Sequence, residues 1–155
     1  MYVPDRFHLR TIWRPGELSM GPVNWLGVVV ATIVALAVSA LWYGPIHGRA
    51  RVEELGPGGL GQRIAPWRNF MASGVLLLVS ATMIGHMFAR VGAPTLAVKP
   101  WLYFMMTGGL AGAFIIPAMW FNYMNLRVSR RMALIDAGFW LLAYLAMGLV
   151  FFVMR

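Results

Sequence analysis

Two ionisable side chains, His86 and Asp136, lie inside long apolar stretches of this 155-residue sequence. If those stretches cross a membrane, burying such groups is costly, and each one is a candidate for chemistry. His86 is near the end of its stretch, whereas Asp136 is near the start of another that runs in the same direction. The offset is about twelve residues, or roughly 18 Å at 1.5 Å per residue. We therefore expect the two side chains not to form a proton relay within one chain.

His86 has two interpretations. It precedes Arg90 by one helical turn, so its ring could reach lipid headgroups at the membrane interface. Alternatively it is an axial ligand to the metal of a haem or chlorophyll-type pigment, because Thr82 and Gly85 would leave room for a flat ring. A bis-histidine haem would need a second chain, since no other histidine lies in an apolar stretch. Apart from this pigment site and bound lipid, we expect no cofactor and no metal.

Asp136 is expected to lie among polar residues where several helices leave the membrane. Its place in the first turns of a helix favours an ionised carboxylate through the helix dipole. Pairing with an arginine would keep it ionised. Such a pair either caps the fourth helix or marks a headgroup-depth pocket for an anionic lipid, a small solute or a partner's tail. The predicted polar cluster consists of Tyr43, His47, Arg49, Asn122, Asn125, Arg130 and Asp136.

No other pattern in the sequence indicates catalysis. We find no serine–histidine–acid set and no metal-binding cluster, and the chain has no cysteine. The Gly-rich stretch 56–63, GPGGLGQR, lacks the Lys-Ser/Thr of a phosphate-binding loop. We therefore expect no enzymatic activity.

Composition identifies the elements that must position these residues. The chain is 60% hydrophobic and 12% charged, whereas soluble domains carry about 25% charged residues. Four runs approach the roughly 20 apolar residues that a helix needs to cross a hydrocarbon core. The sequence thus predicts an all-α polytopic membrane protein whose four transmembrane helices form an antiparallel bundle. The predicted spans are about 25–43, 70–89, 101–122 and 133–153.

Aromatic residues and helix breakers delimit the first span. Trp25 at its start and Trp42 and Tyr43 at its end would place amphipathic rings at headgroup level. Gly44 and Pro45 follow directly, and we expect them to end the helix in a sharp turn.

The third span carries signals for helix packing. Gly108 and Gly112 form a GxxxG step, which lets two helix backbones approach closely in a membrane. The neighbouring helix would belong either to this chain or to another one. Pro117 removes a backbone hydrogen bond in mid-span and is expected to kink the helix.

The first twenty residues differ from the rest of the chain. We expect a basic N-terminal extension, 1–20, followed by a four-helix transmembrane domain, 21–155. Arg6, Arg10 and Arg14 recur every four residues, which is typical of an interfacial helix, although a disordered basic arm fits equally.

The formal net charge is +8, and the basic residues are divided almost equally between the two predicted sides of the membrane. The basic residues fall between apolar runs, where they would meet anionic lipid headgroups rather than nucleic acid. Six of the thirteen lie on the side of the two termini and seven on the other side. By the positive-inside rule we assign the termini to the periplasm.

Three segments resemble the domain of unknown function 1761 family, which comprises small bacterial proteins of four predicted helices. They are 24–50, NWLGVVVATIVALAVSALWYGPIHGRA; 112–123, GAFIIPAMWFNY; and 134–148, LIDAGFWLLAYLAMG. The resemblance covers roughly 21–153 and implies a fold but no known activity. Its characteristic positions here are Asn24, Trp25, Trp42, Tyr43, Pro45, Pro117, Asn122, Asp136, Ala137 and Gly138. Trp140 stands where family members often have a histidine.

These observations favour a non-catalytic role. We expect an accessory or packing subunit of a larger membrane complex in the bacterial inner membrane. Its partners would be membrane lipids and either other membrane-protein subunits or further copies of this chain. The alternative is a small-solute or proton-linked transporter or channel that acts as an oligomer, with Pro117 supplying a broken helix around a site.

Overall fold

The computed structural model of the chain describes residues 21–55 and 66–155, so the predicted extension 1–20 lies outside the described residues. The two described ranges form seven α-helices, with π-helical turns at Trp42–Ile46 and Ala111–Ile115. The helices are α1 Trp25–Leu41, α2 Gly48–Leu55, α3 Pro66–Val91, α4 Ala93–Val98, α5 Leu102–Leu110, α6 Ile116–Asn125 and α7 Arg130–Val153.

Four helical stretches are long and apolar enough to cross a membrane, as the sequence predicts. They are Trp25–Ile46, Trp67–Val91, Leu102–Asn125 and Arg130–Val153. The all-α, four-span prediction is confirmed, and the predicted boundaries agree to within a few residues. The protein is therefore a membrane protein.

The first span ends later than predicted. Gly44 and Pro45 lie inside the π-helical turn Trp42–Ile46, so the prediction that they end the helix is wrong. The wider turn accommodates a proline ring that would clash with the preceding turn of a regular α-helix. The amide of His47 donates across this turn to the carbonyl oxygen of Trp42 at 2.9 Å, and α2 follows at once.

Pro117 lies in a similar setting. It occupies the first turn of α6, where a missing N–H has the smallest cost, and the π-helical turn Ala111–Ile115 directly precedes that helix. The structure thus places a π-helical turn just before Pro117, and the kink predicted at this proline stays a prediction.

The central helix of the bundle is α7. Of its most apolar segment 56% is buried, against 28% for the first span, 22% for the second and 17% for the third. α1 packs against both α3 and α7, and α5 packs on the other side of α7. Small side chains line these contacts and let the helices approach closely. The fully buried alanines are Ala31, Ala35, Ala81, Ala111 and Ala143.

Hydrogen bonds at both ends fix α1 antiparallel to α7. At one end the Asn24 side-chain amide donates to the carbonyl oxygen of Met154 at 2.9 Å. At the other end Nε1 of Trp42 donates to the carbonyl oxygen of Ile135, also at 2.9 Å. Asn24 in addition caps α1, because its Oδ1 accepts from the amide of Gly27.

Among the described glycines, Gly148 leaves the least room for a side chain, and it lies outside the predicted GxxxG step. A Cβ atom there would lie 2.5 Å from Oγ1 of Thr107 and 3.0 Å from the carbonyl oxygen of Tyr103. Gly108 also faces α7, where a Cβ would approach Leu145 to 3.2 Å. At Gly112 a Cβ would meet no described atom within 4 Å. The two glycines of the predicted step therefore do not share one contact.

Candidate functional site

Asp136, in the second turn of α7, is only 4% exposed and is held by two tyrosines. The Tyr43 hydroxyl donates to its Oδ1 at 2.8 Å, and the Tyr123 hydroxyl donates to its Oδ2 at 2.5 Å. Each carboxylate oxygen thus has a donor, as a buried acidic group requires. Because the tyrosines come from the first and third spans, the carboxylate of the fourth span joins three helices. We call Asp136, Tyr43 and Tyr123 the carboxylate cluster.

The arginine pairing predicted for Asp136 is wrong for the described part of the chain. Arg131 instead lies 3.3 Å from Glu53 and 3.8 Å from Glu54, at the surface. The Arg51 guanidinium lies 4.2 Å from the centroid of the Tyr43 ring. Burying a guanidinium carries a large desolvation cost, whereas a tyrosine delivers a neutral donor on an apolar ring. The Arg51 guanidinium therefore packs on the Tyr43 ring, and none of the described arginines forms an ion pair with Asp136.

Trp42 closes the cluster against α7. Its indole packs on Gly138, where a Cβ atom would lie 2.8 Å from Cζ2 of the ring. The His47 ring packs on the other side of Trp42, with the ring centroids 4.4 Å apart. Nδ1 of His47 is buried and has no hydrogen-bond partner among the residues described. The space beside the carboxylate is thus filled by aromatic rings.

The other predicted members of the polar cluster lie apart from the carboxylate. Arg49, Asn122 and Arg130 are exposed, and the exposed Asn125 donates to the carbonyl oxygen of Phe121 in its own helix. The predicted cluster omits Tyr123. The available signal was a tyrosine at the predicted end of the third span, at the same depth as Asp136.

His86 lies at the opposite end of the bundle. Its Nδ1 is 2.9 Å from the carbonyl oxygen of Thr82, so Nδ1 carries the proton that makes this hydrogen bond. The ring meets Trp25 edge-on, with the centroids 5.7 Å apart. Trp25 and Tyr43 mark the two ends of the first span and are about 27 Å apart along the helix. His86 and Asp136 therefore lie at opposite ends of the bundle.

The described residues contain no group of three or more histidine, aspartate or glutamate side chains that could hold a metal ion. The arrangement around Asp136 instead ties three spans together at one depth. A carboxylate with both oxygens occupied and aromatic rings around it is suited to positioning helices.

Comparison with protein families gives a match. Searches of curated proteins and of solved structures found none. The profile of one family, "Protein of unknown function (DUF1761)", matches residues 26–152 and so reaches into all four spans. The match includes Asp136 and both of its tyrosines. The chain therefore belongs to the DUF1761 family.

Proposed function

We propose that the protein is a non-catalytic accessory or packing subunit of a larger membrane-protein complex. The observation that carries the proposal is the uneven burial of the four spans. The fourth is 56% buried over its most apolar segment, but the second and third are only 22% and 17% buried. Those two spans present most of their surface to lipid or to other proteins.

The third span has a surface suited to association with another helix. A Cβ atom at Gly109 or Gly112 would meet no described atom within 4 Å, and Ala113 beside them is exposed. Phe114 and Phe121 on the same span are more than two-thirds exposed. Small residues allow close backbone approach in membranes, and neighbouring aromatic rings add contact area. This combination fits a helix of another subunit.

The hydroxyls of the two buried threonines, Thr32 and Thr107, favour a packing role over transport. Oγ1 of Thr32 donates to the carbonyl oxygen of Val28 at 2.8 Å, within its own helix. Thr107 does the same with Tyr103, again at 2.8 Å. These groups are used within single helices, whereas a small-solute or proton pathway would need a line of polar groups open to solute.

The same proposal includes location and ligands. We infer that the chain lies in the bacterial inner membrane with both termini in the periplasm, and that it takes lipid but no redox or pigment cofactor. The family resemblance supports the bacterial location. Seven basic residues on the loop side against six on the terminal side support the orientation. An absorbance spectrum of the purified protein with a visible band that disappears in His86→Ala would contradict the absence of a pigment.

The test is co-purification from native membranes. A tagged chain extracted in mild detergent should migrate above the monomer and bring down other membrane proteins in fixed ratio. Gly112→Leu should lower that recovery, because the larger side chain blocks close helix approach. Ala72→Leu, at an exposed small residue of the second span, is the matched control and should not. A chain that purifies alone, or only with copies of itself, would contradict the proposal.

A further inference from the structure

A cavity of about 540 Å³ lies at the end of the bundle opposite the carboxylate cluster. It is open on one side and is lined by the segment before α1, the end of α3, α4, the start of α5 and the end of α7. Phe88, Leu96 and Phe151 form its apolar floor, and all three are at most 5% exposed. Its volume lies within the roughly 300–1,000 Å³ typical of ligand pockets. We call it the terminal-face cavity.

Hydrogen bonds hold the walls of the cavity in place. The amide of Gly21 donates to the carbonyl oxygen of Ala89 at 3.2 Å and joins the segment before α1 to α3. The bond from Asn24 to Met154 joins the same segment to the end of α7. The segment before α1, which forms one wall of the cavity, is therefore hydrogen-bonded to both α3 and the end of α7.

Helix α4 forms the outer wall. Gly92 has a φ of +85°, a left-handed conformation that glycine adopts readily, and the chain turns there from α3 into α4. Leu96 points inward, whereas Ala93 and Ala97 line the cavity one turn apart. Because these two side chains are small, they leave the space beside the floor open.

The described charged side chains at this end of the bundle are all basic. Arg155 lines it, and the Arg155 guanidinium lies 4.6 Å from the centroid of the Phe152 ring. Arg90 and Lys99 lie on the same face of the protein. Within the described ranges, every acidic side chain lies at the other end of the bundle or in α2 beyond it. An apolar cavity with a cation at its rim is complementary to an anionic amphiphile.

We propose that the terminal-face cavity binds one anionic phospholipid, with the phosphate at Arg155 and part of an acyl chain against Phe88 and Phe151. The floor is a rigid aromatic surface, because the ring centroid of Phe88 is 4.6 Å from that of Tyr103 and 5.3 Å from that of Phe151. The cavity reaches Gly85, about 9 Å below the end of α3, so it extends from headgroup level into the acyl region. The binding is independent of the proposed role as a subunit.

Native mass spectrometry of the detergent-purified full chain tests the proposal. We expect one phosphatidylglycerol molecule to bind about tenfold more tightly than phosphatidylcholine. Inorganic phosphate should not compete, since it lacks an acyl chain. Equal binding of the two phospholipids, or preferential retention of a free fatty acid, would overturn the proposal.

Paired variants locate the lipid. Ala97→Trp fills the cavity and should reduce phosphatidylglycerol binding about tenfold. The control is Val98→Trp, because Val98 is 80% exposed and does not line the cavity. Arg155→Gln should weaken binding about fivefold, whereas Lys99→Gln, which removes the same charge outside the cavity, should not. Thermal unfolding of each variant shows that it is folded, and unchanged binding by folded Ala97→Trp would overturn the proposal.

Discussion

The two ends of the helical bundle use aromatic residues in different ways. At the end where the first span meets α2, Trp42 packs on Gly138, and the rings of Tyr43 and Tyr123 carry hydroxyls directly to Asp136. At the other end Phe88 and Phe151 form the floor of the terminal-face cavity, and the alanines of α4 leave about 540 Å³ open above it. A buried acid thus joins the helices at one end, while the other end, where none of the described side chains is acidic, offers space for a ligand.

Enlarging a small residue should lower the free energy of unfolding much more at the carboxylate end than at the cavity end. Gly138→Leu should lower the free energy of unfolding by about 3 kcal/mol, because a Cβ atom already comes within 2.8 Å of Trp42. Ala93→Leu, which projects into the terminal-face cavity, should change it by less than about 0.5 kcal/mol. Unfolding in mixed micelles with increasing denaturing detergent measures both. Similar losses in the two variants would show that the cavity end is packed as tightly as the other.

Removing the carboxylate should be the next largest effect. Asp136→Ala leaves two partly buried tyrosine hydroxyls without an acceptor and should cost about 2 kcal/mol of unfolding free energy. Asp136→Asn keeps one carbonyl acceptor and should cost roughly half as much. His86→Ala, at the opposite end, is the reference and should cost no more than about 0.5 kcal/mol. If Asp136→Ala were as stable as the wild type, the carboxylate would not join the helices.

The two tyrosines should act as one unit. Tyr43→Phe and Tyr123→Phe each remove one hydrogen bond to the carboxylate, and each should cost about 1 kcal/mol. Since they share Asp136, the double variant should deviate from additivity by more than about 0.5 kcal/mol. A double-mutant cycle from the same unfolding measurement gives this coupling. Strict additivity would mean that the two hydrogen bonds contribute independently and that the tyrosines do not act as one unit.

The smallest predicted effects concern the two arginines that lie over aromatic rings. Arg51 lies over Tyr43 and Arg155 lies over Phe152. Replacing either with glutamine should cost about 0.5 kcal/mol of unfolding free energy through the lost cation–π contact. Only Arg155→Gln should also weaken phosphatidylglycerol binding, because only Arg155 borders a cavity. Lipid binding that falls equally in Arg51→Gln would remove the distinction between the two ends.

The spans were predictable from the sequence because each depends on a local property. A run of about 20 apolar residues bounded by charge or aromatic rings defines a membrane helix whatever its neighbours are. The end of the first span was not predictable in this way. Gly44 and Pro45 usually stop a helix, but here the helix continues through a π-helical turn while Trp42 is anchored to Ile135.

The partners of Asp136 were harder to predict for a geometrical reason. The π-helical turn Ala111–Ile115 adds a residue to one turn, which rotates everything after it by about 100° relative to a regular helix. Extrapolating a face from Gly108 therefore fails at Gly112 and again at the end of the span, where Tyr123 rather than Asn122 meets the carboxylate. The prediction of an arginine partner for Asp136 rested on the number of nearby basic residues. It ignored the free energy needed to remove a guanidinium from water.

The position of α7 at the centre of the bundle has a consequence for biosynthesis. Ribosomes deliver this helix after the other three spans, yet α1 and α5 both pack on it and α1 is hydrogen-bonded to it at both ends. Of the three spans that leave the insertion machinery first, α1 packs on α3, whereas α5 packs mainly on α7. A nascent chain that stalls before residue 130 would thus present its third span to membrane proteases without the helix on which that span packs.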